Sequence, residues 1–220
     1  MSATYPVGKT NKLRQLREKG AYDKATVWRV LDAGLVAHAA FVQDGSAVVV
    51  PMIYGREGET LYLHGARKAR VIRLLEQTEQ VCVNVTLLDG IVFARSAFNS
   101  SMNYRSATIF GPPELIESPA DKLHAMKVIG EHTMPGRWDE LREPLEREVK
   151  MTGVIAVRIE SASAKVAGGM PEDEDDDYAI PVWAGVMPIT TTVGSLQDDE
   201  RLLPDVEASA IVRALQNRTL

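Results

Sequence analysis

Residues 35–64 read LVAHAAFVQDGSAVVVPMIYGREGETLYLH, and their pattern decides the fold. Apolar, β-rich runs lie on both sides of Asp44 and Gly45, a dipeptide suited to the positive backbone angles of a tight primed turn. The spacing therefore predicts a hairpin of residues 35–43 with 46–54. A polar turn, REGE, then leads into a third strand over 60–64. Pro51 has no amide to donate, so the ladder must be interrupted there, at an edge or where a ligand approaches.

The third strand runs straight into GARKARVI, residues 65–72. Ala69, Val71, Ile72, Leu74 and Leu75 predict a helix over 66–77 with Arg67 and Lys68 in its first turn. Free amides, the positive end of the helix dipole and two adjacent cations would make a phosphate site, with Gly65 allowing close approach of the backbone. A solvated basic helix face fits the same residues, and both readings stand at this point. The chain has neither a GxxxxGK[ST] loop nor a GxGxxG turn after a strand, so a phosphate would be held on a barrel. His64, at the strand end, suits proton transfer, contact with a ligand, or ordinary hydrogen bonding.

Working outward, residues 80–88 and 91–98 read as strands about a second Asp-Gly turn at 89 and 90, and 104–116 continues the meander. Six strands with one inserted helix predict a barrel. Upstream, Asp23 caps a helix over 24–33 whose buried face is Val27, Val30 and Leu31, with Gly34 as its stop. The basic stretch KTNKLRQLREKG, 9–20, reads as a solvated helix. Downstream, Ser118 caps a helix over 118–134, and 152–160 and 180–189 read as strands. Between them EDEDDD, 172–177, repels itself into an exposed loop and lacks the spacing of a cation site. The tail from about 205 reads as a weak helix or as disordered. The expected organisation is an arm over 1–22, one domain over 23–190 and a tail over 191–220.

Composition bounds the function. The chain has 220 residues, 45% hydrophobic and 25% charged, with net charge −5, which does not favour nucleic acid or an acidic membrane surface. No run approaches the roughly 18 to 20 apolar residues of a membrane span, and the protein is read as cytoplasmic. Cys82 is the single cysteine, inside the apolar run VCVNV, which predicts a buried inert thiol. The histidines at 38, 64, 124 and 132 lack zinc spacing, and no metal is expected. There is no GxSxG elbow in SAFNSSMNYRSA. The indole of Trp183, in IPVWAGVMPI, reads either as core or as a stacking platform.

The ordered series GSAVVVPMIY, LYLHGARKARVIRLL, VCVNVTLLDGIVFARSAFNSSMNYRSATIFG, EHTMPGRW, ASAKV and PVWAGVMPI resembles the pyridoxamine-phosphate-oxidase-like flavin-binding proteins, in the branch of the nitroimidazole-resistance proteins. The resemblance covers roughly residues 12–190. It implies a mainly β split barrel with peripheral helices, a homodimer, and FMN at the dimer interface. It places Arg67 and Lys68 on the FMN phosphate, and Val50, Pro51, Met52 and Ile53 on the strand beside the isoalloxazine ring. His64 falls near the flavin or substrate, and Asn103, Tyr104, Arg105 and Ser106 at flavin or ribityl groups. Trp183 lines a pocket of its own or the partner subunit. The implied activity is FMN-dependent oxidoreduction of a small molecule, such as a nitro compound, with His64 as the catalytic candidate. A non-catalytic flavin carrier, and a haem or deazaflavin protein on the same fold, are the alternatives. Val50 stands where the true oxidases hold a cation, and their R-L-H-[DE]-R ending is absent, which argues against vitamin B6 oxidation.

Overall fold

In a computed structural model, which describes residues 3–219, the chain is mainly antiparallel β and resolves into two units, each built from separated segments. One unit draws on residues up to Gly34, Cys82–Phe110 and Glu160–Thr190; the other on Leu35–Val81, Gly111–Ile159 and the residues from Thr191.

The second unit contains the hairpin that the Asp-Gly turn predicts. Strand β2 (Val36–Gln43) pairs with β3 (Ser46–Glu57) through the register Gln43↔Ser46, and Asp44 and Gly45 have φ of 50° and 76°. Strand β4 (Thr60–Ala66) pairs with β3 only over Tyr54–Glu57, so at Pro51 the ladder runs to β2 alone, opposite His38. Strands β8 (Thr152–Arg158) and β7 (Pro113–Leu115) complete the order β2-β3-β4-β8-β7. Helix α3 (Pro119–Thr133) is capped by the Ser118 hydroxyl, which accepts from the Asp121 amide, as its sequence predicts. Shorter helices α2 (Arg70–Glu76), α4 (Glu146–Met151) and α5 (Ala210–Leu215) belong to the same unit. Its core is Tyr54, Leu61, Leu63, Ile72, Leu75, Ile129, Ile155 and Val157.

The first unit holds α1 (Lys24–Ala33), with Val27, Val30 and Leu31 buried and Asp23 accepting from the Thr26 amide, as expected. Its strands are β1 (Gly20–Ala21), β5 (Val81–Phe93), β6 (Ser101–Gly111), β9 (Ser161–Ala167) and β10 (Gly185–Pro188), in the order β1-β9-β6-β5 with β10 on β5. Along β5 Val81, Val83 and Val85 are buried while Cys82 and Asn84 are half-buried, the period-2 pattern of a one-sided strand.

Four expectations change. Asp89 and Gly90 make no turn: β5 runs through them, because β10 lies alongside and a Cβ on Gly90 would come within 3.1 Å of the Met187 carbonyl oxygen. Strand β9 was not expected, since SASAKVA lacks the bulky residues that signal a strand; small side chains suffice where Ala162, Ser163 and Ala164 are all buried. Residues 9–20 form no α-helix, only a 3-10 turn at Arg17–Lys19. There the buried Asn11 side chain accepts from the Gly8 amide and donates to the Pro6 and Ala162 carbonyls, while the Tyr22 hydroxyl takes the Leu13 amide. Such side-chain bonds compete with helix formation. Finally, α2 begins at Arg70, so Arg67 and Lys68 precede the helix.

Helix α3 crosses β3 at Gly55, where an added Cβ would lie 2.7 Å from both the Ile129 Cα and the Val128 carbonyl oxygen. Backbone cannot yield as a side-chain tip does. Gly55→Ala is expected to destabilise the protein by on the order of 3 kcal/mol, measured by denaturant unfolding; a loss below roughly 0.5 kcal/mol would show that α3 is not held this closely.

Candidate functional site

The cationic junction is a turn rather than a helix start. The Ala69 amide donates to the Ala66 carbonyl at 2.8 Å, closing a four-residue turn with Arg67 and Lys68 at its centre. The Arg67 amide donates to the Met151 carbonyl at 2.8 Å, which ties the turn to the end of α4. Helix α2 packs behind it: Gly65 and Gly153 are register partners on β4 and β8, and a Cβ on Gly153 would sit 2.7 Å from Ile72 Cγ2 and 3.1 Å from Arg67 Cα. Gly65 itself would meet Ile72 at 3.3 Å, so its smallness serves the packing of α2.

The charges of the turn are only partly neutralised. Arg67 forms a two-pronged pair with Glu76, at 3.1 and 3.3 Å, on the outside of α2. Arg70 donates to the neutral Gln43 side chain at 2.8 Å. Lys68 is exposed, and neither its amide nor its ammonium has a partner among the described residues. Two cations and an unpartnered amide on a closed turn can take an anion, for which Arg67 would exchange one carboxylate for another acidic group.

Beside the turn, His64 lies opposite Val154 on β8 and is half-buried. Desolvation lowers its pKa from the ordinary 6.5, so the imidazole is neutral at neutral pH. On β3, alternation divides the other predicted residues of this unit. Pro51 and Ile53 are exposed on one face, whereas Val50, half-buried, and Met52, buried, share the face of Tyr54, so that Met52 can offer a ligand only its backbone. His38, opposite Pro51, is exposed on the same side and carried no role in the sequence reading.

The remaining predicted residues belong to the first unit. Arg105 donates to both carboxylate oxygens of Asp89, at 2.9 and 2.7 Å, so the acidic residue read as a turn instead holds a guanidinium. Asn103 donates to the Gly169 carbonyl at 3.0 Å, and Tyr104 and Ser106 are half-buried on the opposite face of β6. A hollow of about 270 Å³ opens beside Asn103, with Phe98, Met102 and Met170 on its wall. Trp183 is not core: its indole is 68% exposed, tilted against Phe93 at 5.8 Å between ring centroids. The stacking-platform reading of that indole survives, and the core reading does not.

One further feature carries chemistry the sequence did not show. Asp173, within the acidic run, has a fully covered carboxylate that accepts from the Arg95 amide at 2.9 Å and its guanidinium at 3.0 Å. Desolvation opposes that charge, but the Arg95 hydrogen bonds prevail and hold the carboxyl below its ordinary value. The run is thus pinned at one residue while Glu174, Asp175 and Asp176 stay exposed. Cys82 is half-buried, and desolvation pushes its thiol up, which leaves it a poor nucleophile as expected.

With this geometry in place, the comparisons identify the class. The family model for pyridoxamine 5'-phosphate oxidase matches residues 23–166, and the chain belongs to that family. Its fold is the split β-barrel. A flavocytochrome from Azotobacter vinelandii is similar, at 36% identity over 96% of this chain and 98% of that one, with a TM-score of 0.90. A FAD and heme binding protein from Mycobacterium smegmatis is 34% identical over 90% of this chain and 98% of that one, with a TM-score of 0.87. A putative 5-nitroimidazole antibiotic resistance protein from Bacteroides thetaiotaomicron is 25% identical over 67% of this chain and 86% of that one, at a TM-score of 0.58. No curated protein matches the sequence.

The lowered pKa of His64 has a sign that can be checked. An unfolded chain binds a proton at this residue before the native one does, so acidification through pH 6.5 favours unfolding, and stability rises with pH in that window. Proton-detected titration of the imidazole should give a midpoint below 6.5. In parallel, His64→Asn should lose less stability than wild type between pH 6.5 and the native midpoint. A midpoint above 6.5 would show that the ring is not desolvated.

Proposed function

We propose that the protein is a flavin-dependent redox protein that holds the flavin phosphate on the turn Ala66–Ala69. The observation that carries this reading is Lys68, whose amide and ammonium are both unpartnered among the described residues, beside the exchangeable Arg67–Glu76 pair. The residues present fit a phosphate: two cations, one free amide, and a backbone fixed by the Met151 bond. Bound flavin would supply the hydride and electron chemistry that amino-acid side chains lack.

The chain's own residues have separate tasks. Arg67 and Lys68 bind the phosphate, and Pro51 and Ile53 offer an exposed apolar face to a flat ring, with Val50 and Met52, on the other face, contributing backbone. His64, neutral at neutral pH, accepts or returns a proton at an imidazole nitrogen. The proposal assigns Asn103, Tyr104, Arg105, Ser106 and Trp183 to polar and stacking contacts with the same class of ligand. FMN is the flavin expected from the sequence, and the flavocytochrome and the FAD and heme binding protein make FAD the alternative to be tried beside it. Nitro compounds are the acceptors to try first, given the nitroimidazole-resistance relative. Turnover of a reduced nicotinamide against such an acceptor would separate an enzyme from a carrier.

Those two relatives also favour a second reading, in which haem accompanies the flavin rather than replacing it. His64 supports it, because a half-buried neutral imidazole is the form that ligates iron. A Soret band lost in His64→Ala would bear this out, and its absence from a haem-supplemented preparation would contradict it.

The proposal includes a homodimer. Exposed apolar side chains are opposed in register on both units, Ile91 with Met187 and Val36 with Ile53. A second copy that covered them would remove apolar surface from water. A sedimentation mass of one chain would contradict it.

Replacing Arg67 and Lys68 together by Ala removes both charges from the turn. FMN affinity should fall by about tenfold or more, from the loss of charge-assisted hydrogen bonds, while riboflavin, which has no phosphate, should bind nearly as before. Equal losses for the two flavins, followed by fluorescence quenching, would sink the phosphate assignment.

A further inference from the structure

A cavity of about 360 Å³ lies in the second unit between the start of α3 and α4. Its walls are Pro119, Ala120, Leu123 and Val149, and Lys122 lines it as well. Lys122 is 8% exposed, the one lysine among the buried described residues, and its ammonium forms no hydrogen bond or ion pair with any of them. A lysine so covered is ordinarily paired. The partly covered guanidinium groups of Arg67 and Arg95 are paired, with Glu76 and Asp173 respectively.

The sign of the missing partner follows from depth. Glu117, Glu146 and Lys150 also border the cavity, but all are exposed, where water and salt screen them. Of the charged residues on the wall, Lys122 is the one whose side chain is buried, and its ammonium ends in open space rather than against a partner among the described residues. The start of α3 adds to it: the Ser118 hydroxyl occupies the Asp121 amide, which leaves the Ala120 amide among the unsatisfied donors of the first turn. Apart from those exposed charges the wall is aliphatic, through Pro119, Ala120, Leu123 and Val149, so it accepts an apolar body. The volume falls at the small end of small-molecule sites, roughly 300 to 1,000 Å³.

We propose that this cavity is a binding site for a short amphipathic carboxylate, with the carboxylate on Lys122 Nζ and the apolar body against Leu123 and Val149. The site is separate from the turn Ala66–Ala69 and does not depend on flavin. The opposing account is that Lys122 merely lays its stem over apolar neighbours and keeps its ammonium at the cavity mouth in water.

Octanoate and octanol distinguish the two, titrated calorimetrically into the full chain. Octanoate should bind saturably and raise the melting temperature, as any ligand of the native state does. Octanol, of the same apolar body without the charge, should bind about tenfold more weakly or worse. Lys122→Met should lose octanoate by a similar factor, and Lys122→Arg should retain it. Ala120→Phe, at an exposed position on the rim, should exclude octanoate by filling the cavity, and it keeps the test open should Lys122→Met fail to fold. Octanol binding as tightly as octanoate, no saturable octanoate binding, or undiminished binding in Ala120→Phe would each overturn the proposal.

Discussion

The packing of Ile72 onto the glycine pair Gly65 and Gly153 is the constraint on which the cationic turn depends. With no Cβ on either strand, α2 lies close enough to β4 and β8 that the intervening residues, Ala66–Ala69, must turn sharply. Arg67 Cα is within 3.1 Å of where a Gly153 Cβ would stand, so the same absence of side chain sets the position of the arginine. The Met151 carbonyl then fixes its amide. Two charges are thereby held by backbone, before any side chain finds a partner.

That arrangement explains a division of labour along the chain. Arg67 can exchange partners because Glu76 is exposed, whereas Arg95 cannot, because Asp173 is covered and Tyr178 lies under the guanidinium at 4.8 Å. One pair suits an anion site and the other pins a loop. Exposed ion pairs are weak in water, so under the proposed function a phosphate with two charges would compete for Arg67. Lys68 adds charge at no cost of breaking an existing pair.

Much of this was legible in the residues wherever the signal was local. The Asp44-Gly45 hairpin, the Asp23 and Ser118 caps and the ladder gap at Pro51 all rest on neighbouring atoms, and each is found where the chain predicts it. The misreadings come from partners distant in sequence. Asp89 and Gly90 carry the local signature of a turn, but Arg105 takes the carboxylate and β10 requires the bare glycine. Asn11, in a stretch that reads as helix, is committed to the Ala162 carbonyl 151 residues away. The candidate site was legible as charge and as an ordered family resemblance. The turn that carries the charge was not, because it depends on Gly153, a residue with no visible role in its own neighbourhood.

The central claim is that this chain is built to hold a flavin. It is tested most directly by the absorption spectrum of the protein as purified, with the released chromophore identified by mass. The account predicts flavin absorption and a phosphorylated flavin, FMN or FAD, in the released fraction. A colourless protein that takes up neither FMN nor FAD on reconstitution would contradict it.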